Sequence, residues 1–179
     1  MTGTRPSGAS ARDEIVIERL HDDVAIPTRA TPGSAGCDLR AYLRDRIVTC
    51  SDGLTQTKRH ASCAEGGWEL TIAPGEMALI PLGFRTSLPN GIEAQVRPRS
   101  GQAFKNALTV PNAPGTVDAD YADEWMVIVR NDSPAPRRIV HGERIAQVVF
   151  ARFEAPPVVE GSVTRSTERT GGFGSTGQA

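Results

Sequence analysis

The stretch WELTIAPGEMALIPLGFRTSLPNGIEAQVR, residues 68–97, determines the predicted fold class. It contains three runs rich in β-branched and other apolar residues, at 68–72, 77–80 and 92–97. Pro74-Gly75 and Asn90-Gly91 lie between these runs and are typical of tight turns. The stretch therefore predicts short strands that are joined by turns.

The same pattern continues on both sides of this stretch. Further strand-like runs occur at 15–20, 125–131 and 144–153, and only residues 100–108 favour a short helix. No window of twelve or more residues has a helical period of apolar side chains. Many short strands separated by turn residues predict an all-β sandwich or barrel with one short helix.

Composition divides the chain into three parts. Residues 1–13 are small and polar and predict a disordered leader, and residues 14–153 contain every strand-like run. Residues 154–179 predict a flexible C-terminal arm that ends in a glycine-rich segment. Within the β domain, residues 44–67 are polar and weakly patterned, which predicts an inserted surface loop.

Charge and cysteine usage exclude several classes of function. The formal net charge of the 179-residue chain is −1, so no global basic field favours nucleic acid or anionic lipid. No apolar run is long enough to span a membrane, and no signal segment is evident. Three cysteines, an odd and sparse number, indicate a reducing compartment, and we expect a cytoplasmic protein.

The segment GGFGSTG, residues 171–177, has the composition of an anion-binding nest. Its glycines allow backbone N–H groups to converge on one point, and Ser175 and Thr176 add hydroxyl donors. Phe173 has a free face that suits stacking on a base, and Arg169 could clamp a phosphate. The alternative interpretation is a flexible terminus.

Two internal segments add groups that suit phosphate chemistry. In PRSG, residues 98–101, Arg99 offers a guanidinium fork and Ser100 and Gly101 offer donors, although a strand-ending turn has the same composition. In GTVDADY, residues 115–121, the Asp118 carboxylate could deprotonate a water and Tyr121 could form a wall for a sugar. An Asp-rich β-turn is the alternative there.

Two more segments carry isolated polar groups among apolar or small residues. AGCDLRA, residues 35–41, contains the single acidic residue Asp38. GERIAQ, residues 142–147, places the Gln147 amide on an otherwise apolar strand. A buried amide needs a partner, so Gln147 is either a satisfied core group or a ligand contact.

Taken in order, these five segments resemble the five motifs of the trimeric dUTP diphosphatase (dUTPase) family. The matching segments are AGCDLRA (35–41), PRSG (98–101), NAPGTVDADY (112–121), GERIAQ (142–147) and GGFGSTG (171–177). The resemblance covers roughly residues 14 to 177 apart from 44–67. It implies a jelly-roll-like fold, a homotrimer with shared active sites, and Mg²⁺-assisted hydrolysis of dUTP to dUMP and pyrophosphate. That activity keeps uracil out of DNA and supplies dUMP for dTMP synthesis.

The resemblance also implies roles for individual residues. Asp118 would be the general base that activates water for attack on the α-phosphorus, and Asp38 would position a hydrated Mg²⁺. The implied substrate-binding residues are Arg99, Ser100, Gly101, Asn112, Gly115, Tyr121, Gln147, Arg169, Phe173, Gly174, Ser175 and Thr176.

The chain departs from the family pattern at four places. Ala122-Asp123 replaces Arg-Gly, Gln102 replaces Leu, and Ala107 replaces Gly. The spacing between Arg169 and Phe173 is one residue shorter than usual, which puts the phosphate role of Arg169 in question.

Other interpretations remain open from the sequence. Cys50, His60 and Cys63 lie in the 44–67 segment and could ligate zinc, although no fourth ligand is evident. The same segment could bind a protein partner. Two rival functions are dCTP deamination on a related fold, and a non-catalytic interaction protein.

Overall fold

A computed structural model describes residues 14–164. The predicted leader 1–13 and the glycine-rich motif 171–177 lie outside the described residues. Within the described part, no helix has the length and apolar character needed to cross a bilayer.

The described chain consists of fourteen strands and one helix. The strands are β1 (Val16–Arg19), β2 (Cys37–Arg40), β3 (Ile47–Ser51), β4 (Gln56–His60), β5 (Ser62–Ala64), β6 (Gly67–Ile72), β7 (Met77–Pro81), β8 (Phe84–Ser87), β9 (Ile92–Arg97), β10 (Leu108–Thr109), β11 (Gly115–Val117), β12 (Met126–Asn131), β13 (Arg137–Val140) and β14 (Arg144–Arg152), and α1 spans Ser100–Asn106. The prediction of an all-β fold with one short helix is confirmed.

The strands form four antiparallel sheets. Their orders are β1-β8, β10-β12-β7-β3-β4, β11-β9-β14-β2 and β13-β6-β5. All six predicted strands are present with bounds that agree to within one residue. The sequence pattern missed strands such as β2, β8, β10 and β11, because two to four residues are too few to establish a period.

The core lies between the sheets and is built by alternation along the strands. Inward side chains of β3, β7 and β12 are at most 1% exposed: Val48, Cys50, Ala78, Ile80, Val127 and Val129. Because successive strand residues point to opposite faces, their neighbours Leu79 and Ile128 lie on the outer face, where they are half-buried. The rings of Phe84 and Trp125, with centroids 5.4 Å apart, fill another part of the core.

The prediction of a surface loop at 44–67 is wrong. This segment forms β3, β4 and β5, and β3 pairs with β7 inside the five-stranded sheet. Arg59 on β4 fixes the hairpin, since its Nη1 donates to the Thr71 carbonyl at 2.9 Å and its Nη2 lies 2.8 Å from Glu76 Oε1. The polar residues of β4 occupy an exposed sheet edge, so their composition resembled that of a loop.

The structure gives no support to the zinc interpretation of Cys50, His60 and Cys63. Cys50 is fully buried and its Sγ accepts a hydrogen bond from Arg59 Nε at 3.2 Å. Burial raises the pKa of the Cys50 thiol, whereas a zinc ligand must be a thiolate. Across residues 14–164, no group of three His, Cys, Asp or Glu side chains is arranged to hold a metal ion.

Helix α1 ends at a position that departs from the family pattern. Ala107 has a φ of 47°, which is the left-handed conformation that usually follows a helix and favours glycine. An L-residue in this conformation costs roughly 1–2 kcal/mol relative to the right-handed region. The fold therefore keeps the turn that glycine normally makes, even though the side chain is alanine.

Candidate active site

An apolar cavity of about 250 Å³ lies beside the loop that joins β10 to β11. Its lining comes from that loop, from β11 and the residues that follow it, from one residue of β9, and from β7, β12 and the residue before β12. The lining residues are Leu79, Val96, Asn112, Gly115, Thr116, Val117, Asp118, Tyr121, Trp125, Met126, Val127 and Ile128. We call this hollow the apolar cavity.

The loop wall of the apolar cavity depends on glycine at position 115. Gly115 is buried, and a Cβ atom there would lie 2.9 Å from Asn112 Nδ2, which is closer than normal van der Waals contact. The Ala113 N–H donates to the Val110 carbonyl at 3.0 Å and closes the turn. Asn112 and Gly115, both predicted from the sequence, therefore form one wall of this cavity.

Asp118 and Tyr121 lie on a turn at the mouth of the apolar cavity. β11 ends at Val117, and the Tyr121 N–H donates to the Asp118 carbonyl at 3.2 Å. Both side chains are exposed, and the Tyr121 hydroxyl donates to the Glu124 carbonyl at 3.2 Å. The turn thus places a solvent-accessible carboxylate next to an aromatic ring.

The floor of the apolar cavity was not predicted. Leu79, Met126 and Ile128 come from β7 and β12, which are paired so that Leu79 lies opposite Ile128. Met126 is 42% exposed, although both of its sequence neighbours, Trp125 and Val127, are at most 2% exposed. Sequence alternation identified these strands, but it could not show that their outer faces border a loop 12 or more residues away.

A second hollow, of about 460 Å³, is polar and lies beside the start of α1. Its lining residues are Thr28, Ala30, Ser34, Ala35, Gly36, Asp38, Arg99, Ser100, Gly101, Arg144 and Gln147. We call this hollow the arginine cleft. It brings together the predicted residues of three motifs, which are separated by as many as 109 positions between Asp38 and Gln147.

Asp38 orients two arginines in this cleft. Its Oδ1 accepts a hydrogen bond from Arg99 Nε at 2.7 Å, and its Oδ2 accepts one from Arg144 Nη1 at 3.2 Å. The two guanidinium groups keep further N–H donors for an anion, and one carboxylate against two guanidinium groups leaves a net positive charge. Arg144 was missed as a candidate, although it lies within the GERIAQ motif.

Gln147 is the half-buried amide of the cleft. Its Nε2 donates to the Pro98 carbonyl at 2.9 Å, and it is the cross-strand partner of both Asp38 and Arg97. A Cβ atom on Gly36 would lie 2.4 Å from Gln147 Oε1, so glycine is required for this arrangement. The amide is thus held against the main chain with its oxygen facing the loop that precedes β2.

The two hollows lie toward opposite edges of one sheet. In the order β11-β9-β14-β2, the apolar cavity borders β11 and, through Val96, β9, whereas the arginine cleft borders β14 and β2. Three strand spacings separate β11 from β2, roughly 14 Å. No residue lines both hollows, although a shallower one lined by Arg97, Pro98, Ala113, Pro114 and Gln147 is next to both.

The predicted residues of the fifth motif have no place in this geometry. Arg169, Phe173, Gly174, Ser175 and Thr176 all lie outside the described residues.

The all-β fold with one short helix places the chain in the class of jelly-roll-like proteins, and comparison with known proteins identifies the family. The family model for dUTPase matches residues 66–177, more than half of the chain. A deoxyuridine 5′-triphosphate nucleotidohydrolase of Rhizobium rhizogenes is 44% identical over 153 residues, which are 85% of each chain. One from Caulobacter vibrioides is 41% identical over 156 residues, which are 87% of each chain. The chain therefore belongs to the dUTPase family.

Solved structures agree with the fold. A Staphylococcus bacteriophage 80alpha dUTPase, solved as a mutant with dUpNHpp, has a TM-score of 0.69 at 21% identity and covers 92% of this chain and 99% of its own. A dUTPase from phage phi11 of S. aureus, described with a structural Mg(II) ion, has a TM-score of 0.63 at 18% identity, over 84% of this chain and 97% of its own. The predicted jelly-roll-like fold is confirmed.

Proposed function

We propose that this chain hydrolyses dUTP to dUMP and pyrophosphate. The observation that carries the proposal is the exposed Asp118 carboxylate, which lies beside Tyr121 at the mouth of a cavity suited to a nucleoside. The family and the names of relatives at 41–44% identity support the same activity.

The apolar cavity is the proposed nucleoside site. Its apolar lining suits the faces of a pyrimidine ring, and the exposed ring of Tyr121 offers a wall for the deoxyribose. A Cβ atom on Gly115 would meet Asn112 Nδ2, so this loop wall is tightly packed. A tightly packed wall supports the proposed preference for uracil over the larger, 5-methylated thymine.

The arginine cleft is the proposed phosphate site. Arg99 and Arg144 are both held by Asp38 and keep donors for phosphate oxygens, and Ser100 and Gly101 border the same cleft. Gln147 adds an amide that is fixed by the Pro98 carbonyl. Within the arm, Arg169, Phe173, Gly174, Ser175 and Thr176 remain proposed substrate contacts.

The residues of the cleft fit a Mg²⁺ ion that arrives with the triphosphate. Mg²⁺ keeps several waters and prefers substrate phosphate oxygens, so it does not require a cage of carboxylates. Each Asp38 oxygen accepts one hydrogen bond from an arginine, and its remaining lone pairs can accept from a metal-bound water. When bound, Mg²⁺ neutralises charge on the phosphates and on the departing pyrophosphate.

Asp118 is the proposed general base. Its carboxylate takes a proton from a water as that water forms a bond to the α-phosphorus. The bond between the α-phosphorus and the bridging oxygen then breaks, and pyrophosphate leaves with the electron pair. Because phosphoryl transfer depends mainly on positioning and charge neutralisation, the chain needs no protein nucleophile.

A homotrimer with shared active sites accompanies this proposal. The apolar cavity and the arginine cleft share no lining residue and lie toward opposite edges of one sheet, which suits a site whose halves come from different subunits. Residues 154–164 contain no helix or strand, and Val158, Val159 and Val163 are 80–99% exposed, so a neighbouring subunit could cover them. The three unpaired cysteines support a cytoplasmic location.

The test is a substrate-specificity assay with the full chain and Mg²⁺. Each deoxynucleoside triphosphate is incubated separately, and pyrophosphate and ammonia are measured. We expect pyrophosphate from dUTP and at least a hundredfold less from dTTP or dCTP. Ammonia from dCTP would instead identify a deaminase, and neither product would identify a non-catalytic protein. In that last case the 44–67 hairpin would be the first surface to test for binding of a protein partner. Partner binding by this hairpin stays a prediction.

A further inference from the structure

Gln102 is a buried polar residue on the inner side of α1, at a position where the family usually has leucine. Gln102 is 8% exposed. A buried amide needs hydrogen-bond partners, whereas leucine at this position would need none. We propose that Gln102 is a positioning residue for the two arginines of the cleft. This inference rests on the proposed function, because its readout is the binding of dUTP phosphates.

The amide of Gln102 makes three hydrogen bonds. Its Nε2 donates to Glu143 Oε1 at 3.1 Å and to the Arg144 carbonyl at 2.9 Å. Its Oε1 accepts from Asn106 Nδ2, one helical turn later, at 2.8 Å. Every polar atom of this buried side chain is therefore used, and the contacts connect α1 to the first residues of β14.

The Arg144 carbonyl lies where the strand pairing is irregular. In the β14–β2 ladder, Arg144 pairs with Arg40 and Ala146 pairs with Leu39, so the register shifts across Ile145. Such a bulge redirects side chains and leaves main-chain groups without ladder partners. Gln102 Nε2 supplies a donor to the carbonyl at this bulge, where the Arg144 side chain turns toward Asp38.

Both arginines of the cleft are connected to this carbonyl, which belongs to Arg144 and accepts a hydrogen bond from Arg99. Arg99 Nη1 donates to the Arg144 carbonyl at 3.4 Å, while Arg99 Nε donates to Asp38. Glu143, the other partner of Gln102, is also ion-paired with Arg137 and accepts from the Val140 N–H at 3.1 Å. The amide thus joins α1, the bulge and both guanidinium groups in one network, so its removal would loosen them together.

The experiment compares Gln102→Leu with a matched control, Gln95→Leu. Gln95 is a glutamine that is half-buried rather than buried, and its amide contacts Glu93 and Arg97 and no residue of the arginine cleft. For Gln102→Leu we expect the KM for dUTP to rise about tenfold, which is about 1.4 kcal/mol. The kcat for dUTP should stay within about twofold of the wild-type value, since Asp118, the proposed general base, lies at the apolar cavity.

A second measurement separates positioning from general damage. Deoxyuridine has no phosphates, so its inhibition constant should be unchanged in Gln102→Leu if only the arginine cleft is disturbed. Asn106→Ala removes one hydrogen-bond partner of the Gln102 amide, on the exposed side of α1. The KM for dUTP should then rise about twofold to threefold, which corresponds to less free energy than the loss of a full hydrogen bond.

The outcomes for the inference and for the proposed function are distinct. If the wild-type chain releases no pyrophosphate from dUTP, the proposed function fails. If the wild-type chain is active and both Gln102→Leu and Asn106→Ala keep its KM, or if deoxyuridine binding weakens as much as dUTP binding, the positioning role of Gln102 is wrong.

Discussion

The apolar cavity and the arginine cleft are built in different ways. The cavity obtains its shape from a tight main-chain turn and from apolar side chains of β7 and β12. The cleft obtains its shape from charged hydrogen bonds, with Asp38 holding Arg99 and Arg144. If the proposed function holds, the apolar cavity should select its ligand by shape and the arginine cleft should select it by charge.

Because of this difference, the two hollows should respond differently to salt concentration and to mutation. Apolar contacts are insensitive to salt, whereas ion pairs between partly exposed groups weaken as salt screens them. The side chains of Asp38 and Arg99 are 29% and 24% exposed, so part of that screening reaches the cleft. Substitutions in the two hollows should accordingly affect different kinetic constants.

The largest expected effect comes from Asp118→Asn, which removes the proposed general base at the mouth of the cavity. Turnover of dUTP should fall about 10²- to 10⁴-fold, the usual contribution of a general base, because asparagine cannot accept the proton of the attacking water. The KM should change little. Single-turnover kinetics with saturating enzyme checks this, and near-normal turnover would rule out Asp118 as the base.

Asp38→Asn tests the arginine cleft by replacing a carboxylate with an amide, and it should have the next largest effect on dUTP hydrolysis. The substitution preserves shape but removes the charge that holds Arg99 and Arg144. Hydrogen bonds to charged groups contribute about 1.5–3 kcal/mol, so kcat/KM for dUTP should fall about 10- to 100-fold. Deoxyuridine inhibition serves as the control and should be unaffected. Equal loss for both ligands would mean that the two hollows are not independent.

A pair of glycine substitutions sharpens the comparison. In Gly36→Ala the new Cβ meets Gln147 Oε1, and in Gly115→Ala it meets Asn112 Nδ2. In each case the end of a side chain must move, so one hydrogen-bonding group is displaced. The free energy of ligand binding should become less favourable by about 1 kcal/mol, which is about a five- to tenfold loss of affinity. Gly36→Ala should raise the KM for dUTP and spare deoxyuridine.

Gly115→Ala should weaken the binding of both dUTP and deoxyuridine, because the proposed site places the nucleoside of each ligand in the apolar cavity. Measured inhibition constants for deoxyuridine therefore distinguish the pair. If the two variants weakened dUTP and deoxyuridine binding in the same way, the assignment of the apolar cavity to the nucleoside and of the arginine cleft to the phosphates would be wrong.

The smallest expected effect concerns pH and His141, which lies just before the strand that carries Arg144. His141 Nδ1 accepts a hydrogen bond from the Leu43 N–H at 3.1 Å, so the fold requires the neutral ring. Burial lowers the pKa of His141 below its ordinary value of 6.5; nearby Arg44 acts in the same direction and Asp23 partly opposes it. The unfolded chain consequently binds the proton first as the pH falls.

The free energy of unfolding should therefore decrease as the pH is lowered from above 6.5 toward the depressed pKa of the folded state. We expect a loss of about 1 kcal/mol, comparable to one hydrogen bond. Urea unfolding at a series of pH values measures it, with His141→Gln as the control that should flatten this slope. A slope that is unchanged in the variant would assign the effect to other groups.

Local patterns predicted the regular elements where they were long enough. The six predicted strands and α1 follow from apolar runs and turn pairs, such as Pro74-Gly75 between β6 and β7. The 44–67 segment was mistaken for a loop because β4 lies at a sheet edge and presents polar side chains to solvent. Its burial becomes visible only through Val48 and Cys50 on β3, which pack into the core.

The sequence by itself determined the family, the order of the motifs and the residue types available for chemistry, because these are properties of the chain in one dimension. The tertiary structure decided that Asp38 holds two arginines, that Gln102 meets the bulge at Arg144, and that β7 and β12 form a cavity floor. Contacts of this kind join residues that are 40 or more positions apart. They depend on long-range strand pairing, which no local pattern of side chains specifies.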